Sequence, residues 1–388
     1  IICLILFLCG KRPAIHYSII DAAIPGIIFL VMLPVVFGKF GFYGMGQDQG
    51  VYQTKAIALI EGYNQNVYEL SETREMNEVQ KNEYVYGISE QYGFYTNPYN
   101  DEVITGVFHG INTYPAVLAW WGIMFGYSNM TGVNTMLFLC GIVLLYGAAR
   151  ILSVSRIGAG VVSFLYAVSP IVLWVNKSTL SEAVTNIIFL FYLYFLLDRK
   201  NKKMVVLSSF AVAAFAVFHV SIYVIMPLFT IVYVVMYLLD GNKMYLVANI
   251  ISAIGYKLGY IMMLHIAEGY TNGNYAFVER LGISETKMPL LATIAVTIVV
   301  VISIALMFVP VRRRADQVME DGILCHTVFD YKWVQVGLAW MMRIFVVLCA
   351  LYAYRMTKHS VYSYVNATMY AFVAATAIVI IPFILYII

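Results

Sequence analysis

The chain has 388 residues, of which 62% are hydrophobic and only 12% charged, with a formal net charge of +3. A soluble domain carries roughly a quarter charged residues because its surface faces water, so a soluble enzyme is excluded. The small positive charge gives no basis for a nucleic-acid partner.

Mean hydropathy is +0.80. Apolar runs of about 20 residues, enough for a helix to cross a hydrocarbon core about 30 Å thick, recur along the chain. Backbone groups in lipid must bond internally, and the long alternation of a barrel is missing, so the expected class is an all-α polytopic membrane protein. In chain order, 1–16 reads as the tail of an upstream helix and 17–37 as the first full span. Residues 38–129 form a long connection. Further spans are expected at 130–152, 157–175, 183–198, 204–219, 221–239, 244–266 and 288–309, which build a core over 130–309. A loop at 310–332 and two more spans, 333–353 and 366–388, complete about ten, with apolar ends that point to a longer natural chain. The five cysteines carry no metal-ligand spacing and read as packing residues.

Lys and Arg choose the orientation. With Lys11 and Arg12 in the cytoplasm, strict alternation collects Arg150, Arg156, Arg199, Lys200, Lys202, Lys203, Lys243, Arg312, Arg313, Arg314 and Lys332 on the same side. The connection 38–129 then lies outside. From Lys39 to Glu102 it holds ten acidic residues against four basic ones and is rich in Tyr. Long ordered connections tend to carry binding or catalysis. Its last stretch, TYPAVLAWWGIMFGY (113–127), is aromatic and short for a span, which fits an interfacial helix with Trp120 and Trp121 at headgroup depth.

Within that connection, GMGQDQGVYQTKAIALIEG (44–62) reads as a glycine-rich entry and then a helix stopped by Gly62. Asp48 is expected at its N-cap, with Tyr52 and Lys55 on following turns of one face. An acid there suits either a helix cap or a general base. In SPIVLWVNKSTLSEAVTNIIF (169–189), a span is expected to end near Val175, with Lys177 in the outer turn and Glu182 at the mouth of the next helix. An acid at membrane depth is a functional candidate by default. His109 is the one histidine in the long connection. Lys257 and Arg343 fall inside expected spans, which requires a polar cavity or different boundaries. Arg280, Lys287, Arg355, Lys358 and His359 are further outer cations. The chain lacks P-loop, HExxH, GxSxG and paired CxxC patterns, so ATP-driven transport within it is not expected.

Together these motifs resemble the GT-C superfamily of lipid-linked-sugar glycosyltransferases, in particular the protein-mannosyltransferase and aminoarabinose-transferase branch. The resemblance covers about 17–240. It rests on the order of an acid-bearing opening (GQDQGVYQTKAIALIEG), HGINTYPAVLAWWGIMFG, a span closing on Arg (VNTMLFLCGIVLLYGAAR) and LYAVSPIVLWVNKSTLSEAV. At Asn112-Thr113-Tyr114-Pro115 the chain keeps one proline and lacks the basic residue some members have.

The resemblance implies an inverting, multi-pass enzyme in a bacterial plasma membrane, with its site facing outward. It implies a polyprenyl-phosphate sugar donor and a lipid, glycan or protein acceptor. Asp48 would be the general base and Glu182 would orient sugar or acceptor. Tyr52, His109 and Lys177 would bind substrate, the last two meeting the departing phosphate. A divalent metal stays open, since relatives differ in using one. The alternative is a transporter or flippase of a lipid-linked substrate, although no paired repeat is evident. An O-antigen-type polymerase or ligase would need longer late loops than 267–287 and 354–365.

Overall fold

A computed structural model describes residues 18–39, 47–62, 68–84, 94–97, 103–108, 110–152, 154–197, 202–219, 222–266 and 284–308. They all fall in the first of two compact units, Ile1–Pro310; the second, Val311–Ile388, lies outside the described residues. The expected spans 333–353 and 366–388, and the candidates His109, Arg280, Arg343, Arg355, Lys358 and His359, lie outside them as well.

The described chain is helical, with α1 (Ile19–Phe37), α2 (Gln47–Glu61), α3 (Thr113–Phe125), α4 (Val133–Ile151), α5 (Arg156–Ala167) and α6 (Pro170–Lys177). The rest are α7 (Glu182–Leu197), α8 (Lys202–Phe218), α9 (Ile222–Asp240), α10 (Met244–Ile266) and α11 (Met288–Met307). Among the described residues four segments are long and apolar enough to cross a membrane: Ile19–Phe37, Tyr127–Ile151, Met244–His265 and Met288–Met307. The protein is therefore a helical membrane protein.

Two expectations need correction. The single span at 157–175 is a broken pair, α5 and α6, bent by 58°. Pro170 stands at the first turn of α6, where its missing N–H costs nothing, while its ring disfavours helix at Ser169 before it. The connection 38–129 is not purely helical either. Strands Tyr68–Leu70 (β1), Phe94–Asn97 (β2) and Ile104–Phe108 (β3) make a small antiparallel sheet in the order β1-β3-β2, with Leu70 opposite Ile104 and Phe94 opposite Phe108. Thr73 anchors it, accepting from the Ile104 N–H at 2.9 Å and donating to the Leu70 carbonyl at 2.6 Å.

One ionic junction holds the start of the bundle. Asp21, in the first turn of α1, has no side-chain exposure. Its carboxylate accepts from Ser18 N–H and Oγ (both 2.9 Å), Tyr146 Oη (2.9 Å), Arg150 Nε (3.1 Å) and Arg156 Nε (3.3 Å). Carboxylate oxygens can accept about four bonds, so the group is saturated. α1, α4 and α5 are thereby joined at one end. Above the junction Ile28, Met32, Val36, Phe138, Ile142, Tyr166 and Ile187 pack as an apolar core.

α8 and α10 close on each other through small residues. A Cβ at Gly255 would collide with the Ala213 methyl, and one at Gly259 would lie 2.8 Å from that of Ala216. In lipid, where burial supplies no drive between helices, such close approach and buried hydrogen bonds hold helices together. The bonds join the neighbouring helices: Ser208 of α8 to Tyr233 of α9 (2.7 Å), Asn249 of α10 to Ser303 of α11 (3.0 Å) and Tyr237 of α9 to the Leu306 carbonyl of α11 (2.9 Å).

Lys257, expected to need a cavity or a shifted boundary, has neither. Its ammonium donates to Thr293 Oγ1 (2.6 Å) and the Pro289 carbonyl (3.2 Å) of α11 and lies 5.5 Å from the Tyr260 ring centroid.

Gly255→Leu should force α8 and α10 apart and cost about 1–3 kcal/mol, the usual range for overpacking a close contact. Unfolding of the full chain in mixed detergent–SDS micelles measures the loss; an unchanged midpoint would mean that this seam does not hold the helices.

Candidate functional site

The end of the bundle opposite Asp21 gathers most of the candidate residues. α2 begins at Gln47, so Asp48 lies inside the first helical turn rather than at the N-cap; it is half-buried. Its carboxylate there still favours the positive end of the helix dipole. Gln49, the next residue, accepts through its carbonyl from Thr179 Oγ1 at 2.8 Å, and Gln53 Nε2 donates to the same hydroxyl at 3.3 Å. Thr179 belongs to the turn between α6 and α7, whose Ser178 carbonyl accepts from Asn134 Nδ2 at 2.5 Å. Asn134 in turn accepts from Tyr114 Oη at 3.0 Å. The turn that carries Lys177 before it and Glu182 after it is thus fastened to α2, α3 and α4. This brings Asp48, Lys177 and Glu182 to one junction.

Tyr52 is only 5% exposed, and its ring meets Tyr114 edge-on at 5.5 Å within a cluster of Ala56, Leu118, Met130 and Val184. Its visible work is to pack α2 against α3. Gly110 is the other side of this contact: it has φ +90, and a Cβ there would lie 2.7 Å from the Tyr52 ring. Glycine fits on both counts, since only it adopts that φ without strain.

Lys39 and His219 escaped the reading of motifs, and Lys55 was read there only as a neighbour of Asp48 on one helix face. Lys39, just past α1, donates to the Asn176 carbonyl at 2.9 Å. Burial, and the charge of Lys177 beside it, push its ammonium down to about 8. Two cations are therefore held together at this end. Lys55 is 2% exposed and donates to the Gly110 carbonyl at 2.8 Å, and burial pushes its pKa down to about 7. His219, at the end of α8, places Nε2 3.6 Å from Glu182 Oε1, an ion pair once the imidazole is protonated. Thr113 Oγ1 bonds the Val217 carbonyl, tying α3 to the same end of α8. A histidine closing an apolar run, in VFHV, was the available signal for His219; a lysine directly after the first span was the one for Lys39.

The junction also buries three amide oxygens, Gln49 Oε1, Gln53 Oε1 and Asn176 Oδ1, that accept no hydrogen bond. An unmet buried acceptor costs about 1–3 kcal/mol, so these suit water or the hydroxyls of a ligand. Among the described residues no group of three or more His, Cys, Asp or Glu converges as a metal site. Lys287 is exposed at the start of α11.

α3 fits the interfacial expectation in shape. Tyr114, Pro115, Leu118, Ala119 and Gly122 face the core, while Trp120 is 56% exposed beside exposed Ile123, Met124 and Phe125. Trp121 is half-buried and stacks 4.4 Å from Phe125.

Comparison of the chain with protein-family models, curated proteins and solved structures found no match.

The lysine shifts have a definite sign for stability. Unfolded lysine keeps its proton to about pH 10.4, whereas folded Lys55 releases it near 7, so the unfolded state binds more protons between these values. Stability therefore rises with pH across that window. Thermal midpoints at about pH 6.5 and pH 9.5 should differ less in Lys55→Met than in the wild type, because the variant loses the 10.4-to-7 displacement. Parallel pH profiles for the two proteins would show that Lys55 is not buried as described.

Proposed function

We propose that the protein is a membrane glycosyltransferase that moves a sugar from a polyprenyl-phosphate donor to an acceptor hydroxyl, with inversion at the anomeric carbon. The observation that carries this reading is that the turn between Lys177 and Glu182 is bonded to the first turn of α2, where Asp48 stands, while Lys39 donates to Asn176 beside Lys177. That combination supplies the charges the reaction needs. Asp48 accepts the proton of the acceptor hydroxyl as its oxygen bonds the anomeric carbon. The bond from that carbon to the phosphate oxygen breaks, and the phosphate leaves with an added negative charge. In this reading Lys39 and Lys177 meet that charge, in a partly dehydrated setting that strengthens the attraction. Glu182, partnered by His219, orients sugar or acceptor, and the buried amide oxygens of Gln49 and Gln53 suit sugar hydroxyls. The same reading takes the chain to have about ten spans, with this end facing outward.

The second reading is a transporter or flippase of a lipid-linked substrate. The 58° break between α5 and α6 favours it, since discontinuous helices often line transport sites.

Full-length protein in liposomes, supplied with polyprenyl-phosphate sugars and a membrane acceptor fraction, separates the two. Asp48→Asn should lower transfer by about 10²–10⁴, the contribution of a positioned base, while the protein still inserts and folds. Lys39→Gln should raise KM for the donor about tenfold, or 1.4 kcal/mol of binding. Wild-type transfer by Asp48→Asn would remove it as the base. Donor crossing the bilayer with no glycosidic product would favour the transporter.

A further inference from the structure

The Asp21 junction has one positive charge too many for its own needs. Two guanidinium groups face one carboxylate, and no other acidic side chain takes part among the described residues. Arg150 uses Nε on Asp21 and Nη1 on the Val154 carbonyl at 2.6 Å. Arg156 uses Nε alone, and its side chain is 43% exposed. It also stands at the first position of α5, where the helix dipole adds to the positive field.

Directly beside it runs a groove of about 380 Å³ between α1 and α5. Its walls are apolar: Ile27 from α1 and Ile157, Val161 and Phe164 from α5, all exposed. Gly160 makes the floor, since a Cβ there would lie 3.0 Å from the Ile24 methyl, and its absence lets the two helices close. α1 is apolar enough to span a bilayer, so this outward face meets lipid.

We propose that this groove is a binding site for an anionic glycerophospholipid, with the headgroup phosphate on the Arg156 guanidinium and an acyl chain along Ile27, Val161 and Phe164. Charge decides the class of lipid. A phosphodiester balances the junction's surplus charge, while a zwitterionic headgroup adds a cation beside two arginines. Arg156 keeps two terminal nitrogens for the planar, two-point contact that arginine makes with phosphate. Its place at the start of a helix sets it at headgroup depth. The site lies at the other end of the bundle from Asp48 and does not depend on the glycosyl-transfer reading.

Native mass spectrometry of the full chain, released from micelles containing equal phosphatidylglycerol and phosphatidylcholine, tests it. The wild type should retain phosphatidylglycerol about fivefold over phosphatidylcholine, the worth of one basic side chain against an anionic lipid. Arg156→Gln should abolish the preference. Because that change also disturbs Asp21, Val161→Trp serves as the second variant: it fills the groove, leaves the ion cluster whole and should lose the bound lipid. Equal retention of the two lipids by the wild type would overturn the proposal. So would wild-type retention by Val161→Trp, or displacement of phosphatidylglycerol by glycerol phosphate without a tail.

Discussion

A carboxylate with no exposure, set in the first turn of a membrane helix, has to be neutralised and bonded, and Asp21 is both. Its partners come from three helices, so satisfying it fixes the rotation and depth of α1 against α4 and α5. α1 is a rod about 28 Å long at 1.5 Å per residue, which carries this constraint from one end of the bundle to the other. Lys39 and the entry to α2 emerge from the far end of that rod. There Lys39 is fixed by its own bond to the Asn176 carbonyl, beside Lys177.

At that far end, several terms run against stability. Lys39 is half-buried and Lys55 buried, both with lowered proton affinity, two lysines repel each other, and three amide oxygens accept nothing. These costs are held in place by packing around Tyr52, Tyr114 and Leu118 and by the Thr179, Asn134 and Ser178 bonds. Perturbed ionisable groups collected where structure over-determines them are a common mark of a working site.

The spans were legible because lipid imposes a coarse rule: about 20 apolar residues, bounded by charge. That rule places α4, α10 and α11 to within a few residues. It does not see local backbone chemistry. The bend at Ser169-Pro170 was written in the proline, but hydropathy averages across it. The β1–β3 sheet was hidden because strands of three to five residues rely on pairing across distant sequence rather than on their own pattern. Asp21 was overlooked for a related reason: one acid in an apolar run has no meaning until Arg150 and Arg156, some 130 residues later, fold beside it. Lys257 shows the same point from the other side, since its partners are a backbone carbonyl and a threonine that no motif could mark.

The seam between α8 and α10 has a consequence for biogenesis. α8 packs mainly against α10 rather than against its sequence neighbour α9, through the facing Ala213, Ala216, Gly255 and Gly259. During synthesis α8 is complete about 50 residues before α10, an interval of several seconds at about 5–20 residues per second. Throughout that time its alanine face lacks the surface that it packs against in the folded chain. α9, made in between, does not take the place that α10 fills. Assembly of this half of the bundle is thus a matter of order: a helix that arrives late completes a face kept small enough to receive it.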